Sequence, residues 1–123
     1  AEMEPKSEKG ICYLSRVPPY MSPATLRKIL SQHFSIERIY LEPELESVRK
    51  DRKKKGGNRK QRFVEGWVEF EKRKQAKAAA LILNGQLIGG KKRHNMFHDD
   101  TWAIKYLPKF KWSNLTEKLA YDQ

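Results

Sequence analysis

Cysteine is nearly absent from these 123 residues: Cys12 stands alone. A lone thiol excludes an internal disulfide and removes any cysteine-based zinc framework, which suits a reducing cytosolic or nuclear compartment. Long apolar runs are missing as well. None approaches the roughly 18 residues that a spanning helix needs, and the opening AEMEPKSEKG lacks the apolar core of a secretory signal, so no membrane partner is expected. Nor does any Ser, Cys or Lys have a recognisable base and orienting group around it. Nucleophilic catalysis therefore has no candidate constellation, and neither enzyme activity, nor a cofactor, nor a small-molecule substrate is expected. The chain has no initiator methionine and stops abruptly, so it reads as a piece of something longer.

What the sequence does have is positive charge, a formal +11, beside 38% hydrophobic and 33% charged residues. That balance fits one small domain with a heavily charged surface. Nine bases (Arg49, Lys50, Arg52, Lys53, Lys54, Lys55, Arg59, Lys60 and Arg62) stand between positions 49 and 62 against the single acid Asp51. Such a block points to a polyanionic partner, or else to a solvated loop or a nuclear-localisation segment. Gly56, Gly57 and Asn58 in its middle predict a mobile turn, from which bases could reach phosphates without reading a nucleotide sequence.

Strand and helix patterns alternate along the rest. Ile11 to Arg16 reads as a strand ended by Pro18-Pro19. Ser22 looks like a helix N-cap with Pro23 at the first helical position, and Leu26, Ile29, Leu30 and Phe34 keep one face. A strand at Ile39-Tyr40-Leu41, a third from Phe63 to Phe70, a helix carrying Ala76, Ala79, Ala80 and Leu83 up to Asn84-Gly85, and a strand from Trp102 to Leu107 follow. The predicted fold is α+β, a ferredoxin-like βαββαβ sandwich with a four-stranded antiparallel sheet on two helices. Its expected bounds are a flexible segment 1–9, a domain 10–107 containing a basic loop 44–62, and a C-terminal extension 108–123.

Strand alternation predicts which side chains meet the helices. In the third strand these are Val64, Gly66, Val68 and Phe70, leaving Phe63, Glu65, Trp67 and Glu69 on the open face; in the first, Cys12 and Leu14 point inward and Tyr13 and Ser15 outward. Tyr13, Trp67 and Phe63 are thus candidates for stacking bases, and the competing reading is that the chain's own C-terminal segment covers Trp67. Glu65 is expected to pair with Arg38 or Lys105 on neighbouring strands.

Two stretches carry a family resemblance. CYLSRV, residues 12–17, resembles the second ribonucleoprotein signature of RNA recognition motifs, and FVEGWVEF, residues 63–70, is similar to the first. Gly66, Trp67, Val68 and Phe70 match that signature, whereas Phe63 replaces its usual base, Val64 its glycine and Glu65 its central aromatic. A narrower likeness runs through GICYLSRVPPYMSPATLRKILSQ, RKKKGGNRKQRFVEGWVEF, LNGQLIGGKKR and HDDTWAIKYLPKFKWSNLTEKLAY. These resemble the activator of basal transcription / eighteen-S factor two family of nucleolar proteins. The resemblance implies a non-catalytic ribosome assembly factor of the small-subunit processome, in the nucleus and nucleolus. It implies pre-rRNA and small nucleolar RNA as partners, alongside processome proteins with an RNA helicase or a basal transcription factor among the candidates.

Phosphate contacts are expected from the 49–62 block and from Lys91, Lys92 and Arg93. Further contacts to RNA or to a protein are expected from Lys105, Lys109, Phe110, Lys111 and Trp112, where bases alternate with bulky residues. After them Ser113 or Asn114 should cap a short helix bearing Leu115, Leu119 and Ala120, with Glu117 available for a capping box; its apolar face must rest on the domain or on a partner. Gly85 to Lys92 has the GxxxxGK spacing of a phosphate loop but follows a helix and lacks the Ser or Thr that binds magnesium. His94, His98, Asp99 and Asp100 lie in a stretch without helical pattern, so they read as a polar loop and no metal is expected.

Overall fold

A computed structural model describes residues 8–58, 60–90, 96–97 and 99–122. Arg59 and the 91–93 bases, with His94 and His98, therefore lie outside the described residues. Strands β1 (Gly10–Leu14), β2 (Ile36–Pro43), β3 (Phe63–Phe70) and β4 (Ile104–Leu107) form one antiparallel sheet in the order β2-β3-β1-β4. Helices α1 (Pro23–Leu30) and α3 (Arg73–Leu83) lie on one face of it; α2 (Glu46–Lys54) sits between β2 and β3, and α4 (Trp112–Tyr121) follows β4. The expected ferredoxin-like arrangement is the one observed, with two helices more than its core requires.

Local chemistry accounts for the two inner helices. The Ser22 hydroxyl accepts from the Thr25 amide at 3.1 Å, satisfying a donor that the first turn cannot, and Pro23 has no amide hydrogen to leave orphaned. Alanines at positions 76 and 79 of α3 are fully buried, which lets the helix lie close against β1. There Gly10 makes the approach possible: a Cβ on it would stand 2.7 Å from Arg73 Cα and 2.8 Å from Ala76 Cβ. Because a backbone atom cannot swing away, Gly10→Ala is expected to cost about 1 to 3 kcal/mol through overpacking, measured as a lower urea midpoint at unchanged slope.

The helix-side core gathers Cys12, Leu14, Leu26, Leu30, Leu41, Val68 and Phe70 with Trp102 and Ile104. Cys12 donates its thiol hydrogen to the Ala76 carbonyl at 3.1 Å, and burial pushes that thiol up to about 12, so it stays neutral and packs as a small apolar side chain. Strand alternation assigns Cys12, Leu14, Gly66, Val68 and Phe70 correctly but fails at the start of β3. Glu42 faces Glu65 and Pro43 faces Phe63, so Val64 is an extra, bulged residue and is 50% exposed. One inserted residue reverses the faces beyond it. Phe63, expected on the outer face as a stacking ring, therefore packs against the helix-side core.

Two further boundaries differ from the sequence reading. Trp102 does not belong to β4: its amide donates to the Gln86 carbonyl and its own carbonyl accepts from Gly85, tying it to the turn after α3. The basic block, expected as a mobile loop, contains a nine-residue helix. Glu46 in the first turn of α2 and Arg52, Lys53 and Lys54 in the last complement the helix dipole, and Gly56, at φ 81°, turns the chain beyond the C-terminus. The turn falls at Lys55 and Gly56, at the leading edge of the Gly56-Gly57-Asn58 stretch.

Candidate nucleic-acid interface

Trp67 stands at the centre of the sheet's outer face, between Tyr13 of β1 at 5.3 Å and Tyr40 of β2 at 6.2 Å between ring centroids. All three come from residues paired directly across the ladder. The Tyr13 hydroxyl donates to Glu65, and the Tyr40 hydroxyl donates to Glu42 at 2.8 Å. The bond to Glu65, then burial, raises the Tyr13 phenol above its ordinary value; burial and the bond to Glu42 push Tyr40 up to about 12. Both phenols remain protonated donors, and each occupies a carboxylate. Glu65 thus pairs with Tyr13, not with Arg38 or Lys105, and the Arg38 guanidinium is engaged by Glu69 instead.

This aromatic row is roofed. Leu115 of α4 is fully buried against Ile11 and Trp67, with Leu107, Phe110, Trp112 and Leu119 packed around them. Trp67 retains 5% exposure, so a base cannot stack on it while α4 is seated. The competing reading of the sequence, a ring covered by the chain's own tail, describes the folded state. Arg38 completes the roof's edge: it donates to the buried Glu69 at 2.7 Å and lies 4.9 Å from the Trp112 ring centre, a cation over an aromatic face.

The tail residues divide between these roles. Phe110 and Trp112 are half-buried in the roof, while Lys105, Lys109 and Lys111 are exposed. Lys109 has φ 61°, a left-handed conformation that turns the chain between Pro108 and α4. The helix starts two or three residues earlier than a cap at Ser113 or Asn114 would place it. Lys111 is the N-cap, and its amide donates to the Asn114 side chain at 2.8 Å, so Asn114 reaches back from inside the first turn.

The basic segment is organised by an acid that charge counting overlooks. Glu44, 9% exposed, accepts two bonds from the Arg52 guanidinium at 2.6 and 2.9 Å and one from the Arg62 amide at 2.7 Å. Arg52 also donates to the carbonyls of Asn58 at 2.8 Å and Lys60 at 2.9 Å. Four of the five N–H donors of its planar fork are occupied. Arg52 is therefore no free phosphate ligand, contrary to its place among the expected contacts. The Arg52 side chain and the Arg62 amide, working against burial, hold the Glu44 carboxyl down at about 2. Lys55 pairs with Asp51 at 3.1 Å and Arg49 with Glu46 at 3.8 Å. Lys50, Lys53, Lys54 and Lys60 are exposed and form no ion pair among the described residues.

The same stretch that carries this geometry aligns with known proteins. The pre-rRNA-processing protein esf2 of Schizosaccharomyces pombe is 53% identical over 113 residues, 92% of this chain and 34% of its own length. ESF2 of Kluyveromyces lactis is 50% identical over 122 residues, covering 99% of this chain and 41% of the relative. ESF2 of Candida albicans is 53% identical over 113 residues. This chain belongs to the ESF2 family. It spans about a third to two fifths of the length of those relatives, 34% to 41%. No family model matches it.

For an ESF2-family chain, the phosphate-loop spacing at Gly85 to Lys92 has another use. The amides of Gly85, Ile88 and Gly89 donate to the carbonyls of Trp102, Asp100 and Phe97, closing the turn between α3 and β4. Amides already spent on the protein cannot cradle a phosphate. Two residues of the interface escaped sequence reasoning. Tyr40 had a signal, an aromatic between Ile39 and Leu41, which both pack on the helix side, so that alternation alone puts it on the outer face. Glu44 had a fainter one, an acid just ahead of a run of bases.

Proposed function

We propose that this chain is a non-catalytic RNA-binding module of pre-rRNA processing that grips RNA with α2 and the strand-ward return after it, while its sheet stays covered. The names of its relatives support the process, and the observation that carries the site is the set of exposed, unpaired ammonium groups on α2 beside a roofed Trp67. Phosphates are the groups such a surface holds. On this reading the protein works in the nucleolus within small-subunit assembly, on pre-rRNA or small nucleolar RNA. Lys91, Lys92 and Arg93 add charge to the same task.

The experiment is a salt titration. Changing Lys50, Lys53 and Lys54 together to Gln should reduce the log-log salt slope of RNA binding by about 2 to 3, at ~0.7 for each lost contact on a single strand and ~0.9 on a duplex. An unchanged slope removes α2 from the RNA. That result would favour a second reading, prompted by the seat of α4 on the aromatic row: a domain that recruits another processome protein, a helicase or a transcription factor, with RNA held elsewhere.

A further inference from the structure

We propose that the ligand class of the α2 surface is base-paired RNA, and that Glu44 and Arg52 are positioning residues that give this surface its shape. The proposal rests on the RNA contact through α2 set out above. Single strands are held by aromatic platforms on which bases stack along a cationic groove. Here the outer-face platform is roofed, and Glu42 and Glu65 lie opposite each other on neighbouring strands, placing two carboxylates where a threaded backbone would run. A duplex makes different demands. Its bases are already stacked inside, and it is recognised by its shape, its phosphates and its sugar hydroxyls.

The basic segment meets those demands by being stiff. Lys50, Lys53 and Lys54 stand at i, i+3 and i+4, one face of α2, whereas Arg52 is turned about 200° from Lys50 around the helix, toward the body. A nine-residue helix rich in like charges does not hold itself together in water. The Glu44 carboxylate, gripping Arg52 and the Arg62 amide together, ties α2, the carbonyls of Asn58 and Lys60 that Arg52 also holds, and the approach to β3 into one unit. Cations fixed in this way lose little freedom on meeting a rigid array of phosphates. An acid is thereby required for binding a polyanion, which simple charge attraction would not anticipate.

The test uses the 123-residue chain with an RNA duplex of about 16 base pairs, the length one duplex-binding domain covers, and an unstructured single strand of equal charge. The unaltered protein should prefer the duplex, and equal or better binding of the single strand overturns the ligand class without any variant. Arg52→Lys keeps the net charge and Glu44→Gln raises it by one. Both should nevertheless weaken duplex binding by about tenfold, the order expected from misaligning two or three phosphate contacts, and change single-strand binding less than about twofold. Tighter duplex binding by Glu44→Gln, or an unaltered affinity for Arg52→Lys, overturns the positioning role. The Lys50/Lys53/Lys54→Gln variant separates the levels. If it loses the duplex while the other two do not, α2 is the site and the clamp is not needed; if it binds as before, the reading of α2 as the RNA contact fails.

Discussion

Replacing Leu115 with alanine is expected to release α4 from the sheet at a cost of about 2 to 5 kcal/mol, the range for truncating a fully buried leucine. Leu115 has no exposed surface and is the one residue of α4 that is fully enclosed; Trp112 and Leu119 only flank the cluster it completes. A ten-residue helix that loses its main anchor cannot persist by itself. The rest of the domain should survive, because the helix-side core is a separate cluster across the sheet. Amides of α4 should then lose their protection from exchange while those of β1 and β3 keep theirs, and the Trp67 indole should become accessible to a soluble quencher. Uncovering Trp67 should also strengthen single-strand binding, since stacking one base is worth ~1 to 3 kcal/mol. If α4 amides stay protected and Trp67 stays shielded, the roof is not held by Leu115.

Acid should loosen the basic segment before it unfolds the domain. The Glu44 carboxyl lies near 4.5 when the chain is unfolded and is lowered to about 2 in the folded state, chiefly by the Arg52 side chain. A depressed carboxyl contributes stability that is complete above its unfolded value and declines as pH falls toward its folded one. The clamp should therefore be intact at pH 6, weaken between about pH 4.5 and 2, and be absent below that. Amide exchange should report this as lost protection through α2 and at the Arg62 amide, with the sheet still protected. Glu44→Gln cannot carry the charge, and should show the loosened segment at neutral pH with no further change across that window. Uniform protection from pH 6 to 2 would mean that α2 is held by something other than the clamp.

Legibility followed the range of the interactions involved. Ser22-Pro23 announces α1, and the Ala76, Ala79, Ala80, Leu83 spacing announces α3, because caps and helical periodicity are set within a few residues. The inward set Cys12, Leu14, Gly66, Val68 and Phe70 follows from period-two alternation alone. Phe63 was misplaced because its face depends on which residue of β2 it meets, and the bulge at Val64 is a property of the pair of strands. The helix in the basic block was hidden for a related reason. Bases and Glu46 are good helix formers, but their repulsion reads as an extended loop until a partner for Arg52 is in view.

Sequence pattern alone carries the order of strands and helices, the inward set Cys12, Leu14, Gly66, Val68 and Phe70, the concentration of positive charge, and the likeness to pre-rRNA-processing proteins. All of these are carried by local pattern, composition or direct likeness. Tertiary structure decided what the outer face and the charge are available to do. It set α4 over Trp67, gave Glu65 to Tyr13, and spent Arg52 on Glu44. Each of those choices brings together residues that no periodicity links, and the winner is whichever partner satisfies a buried polar group or covers an apolar ring at least cost in desolvation. The ring that looked ready for RNA is therefore closed, and the charge that looked diffuse is fixed on a helix.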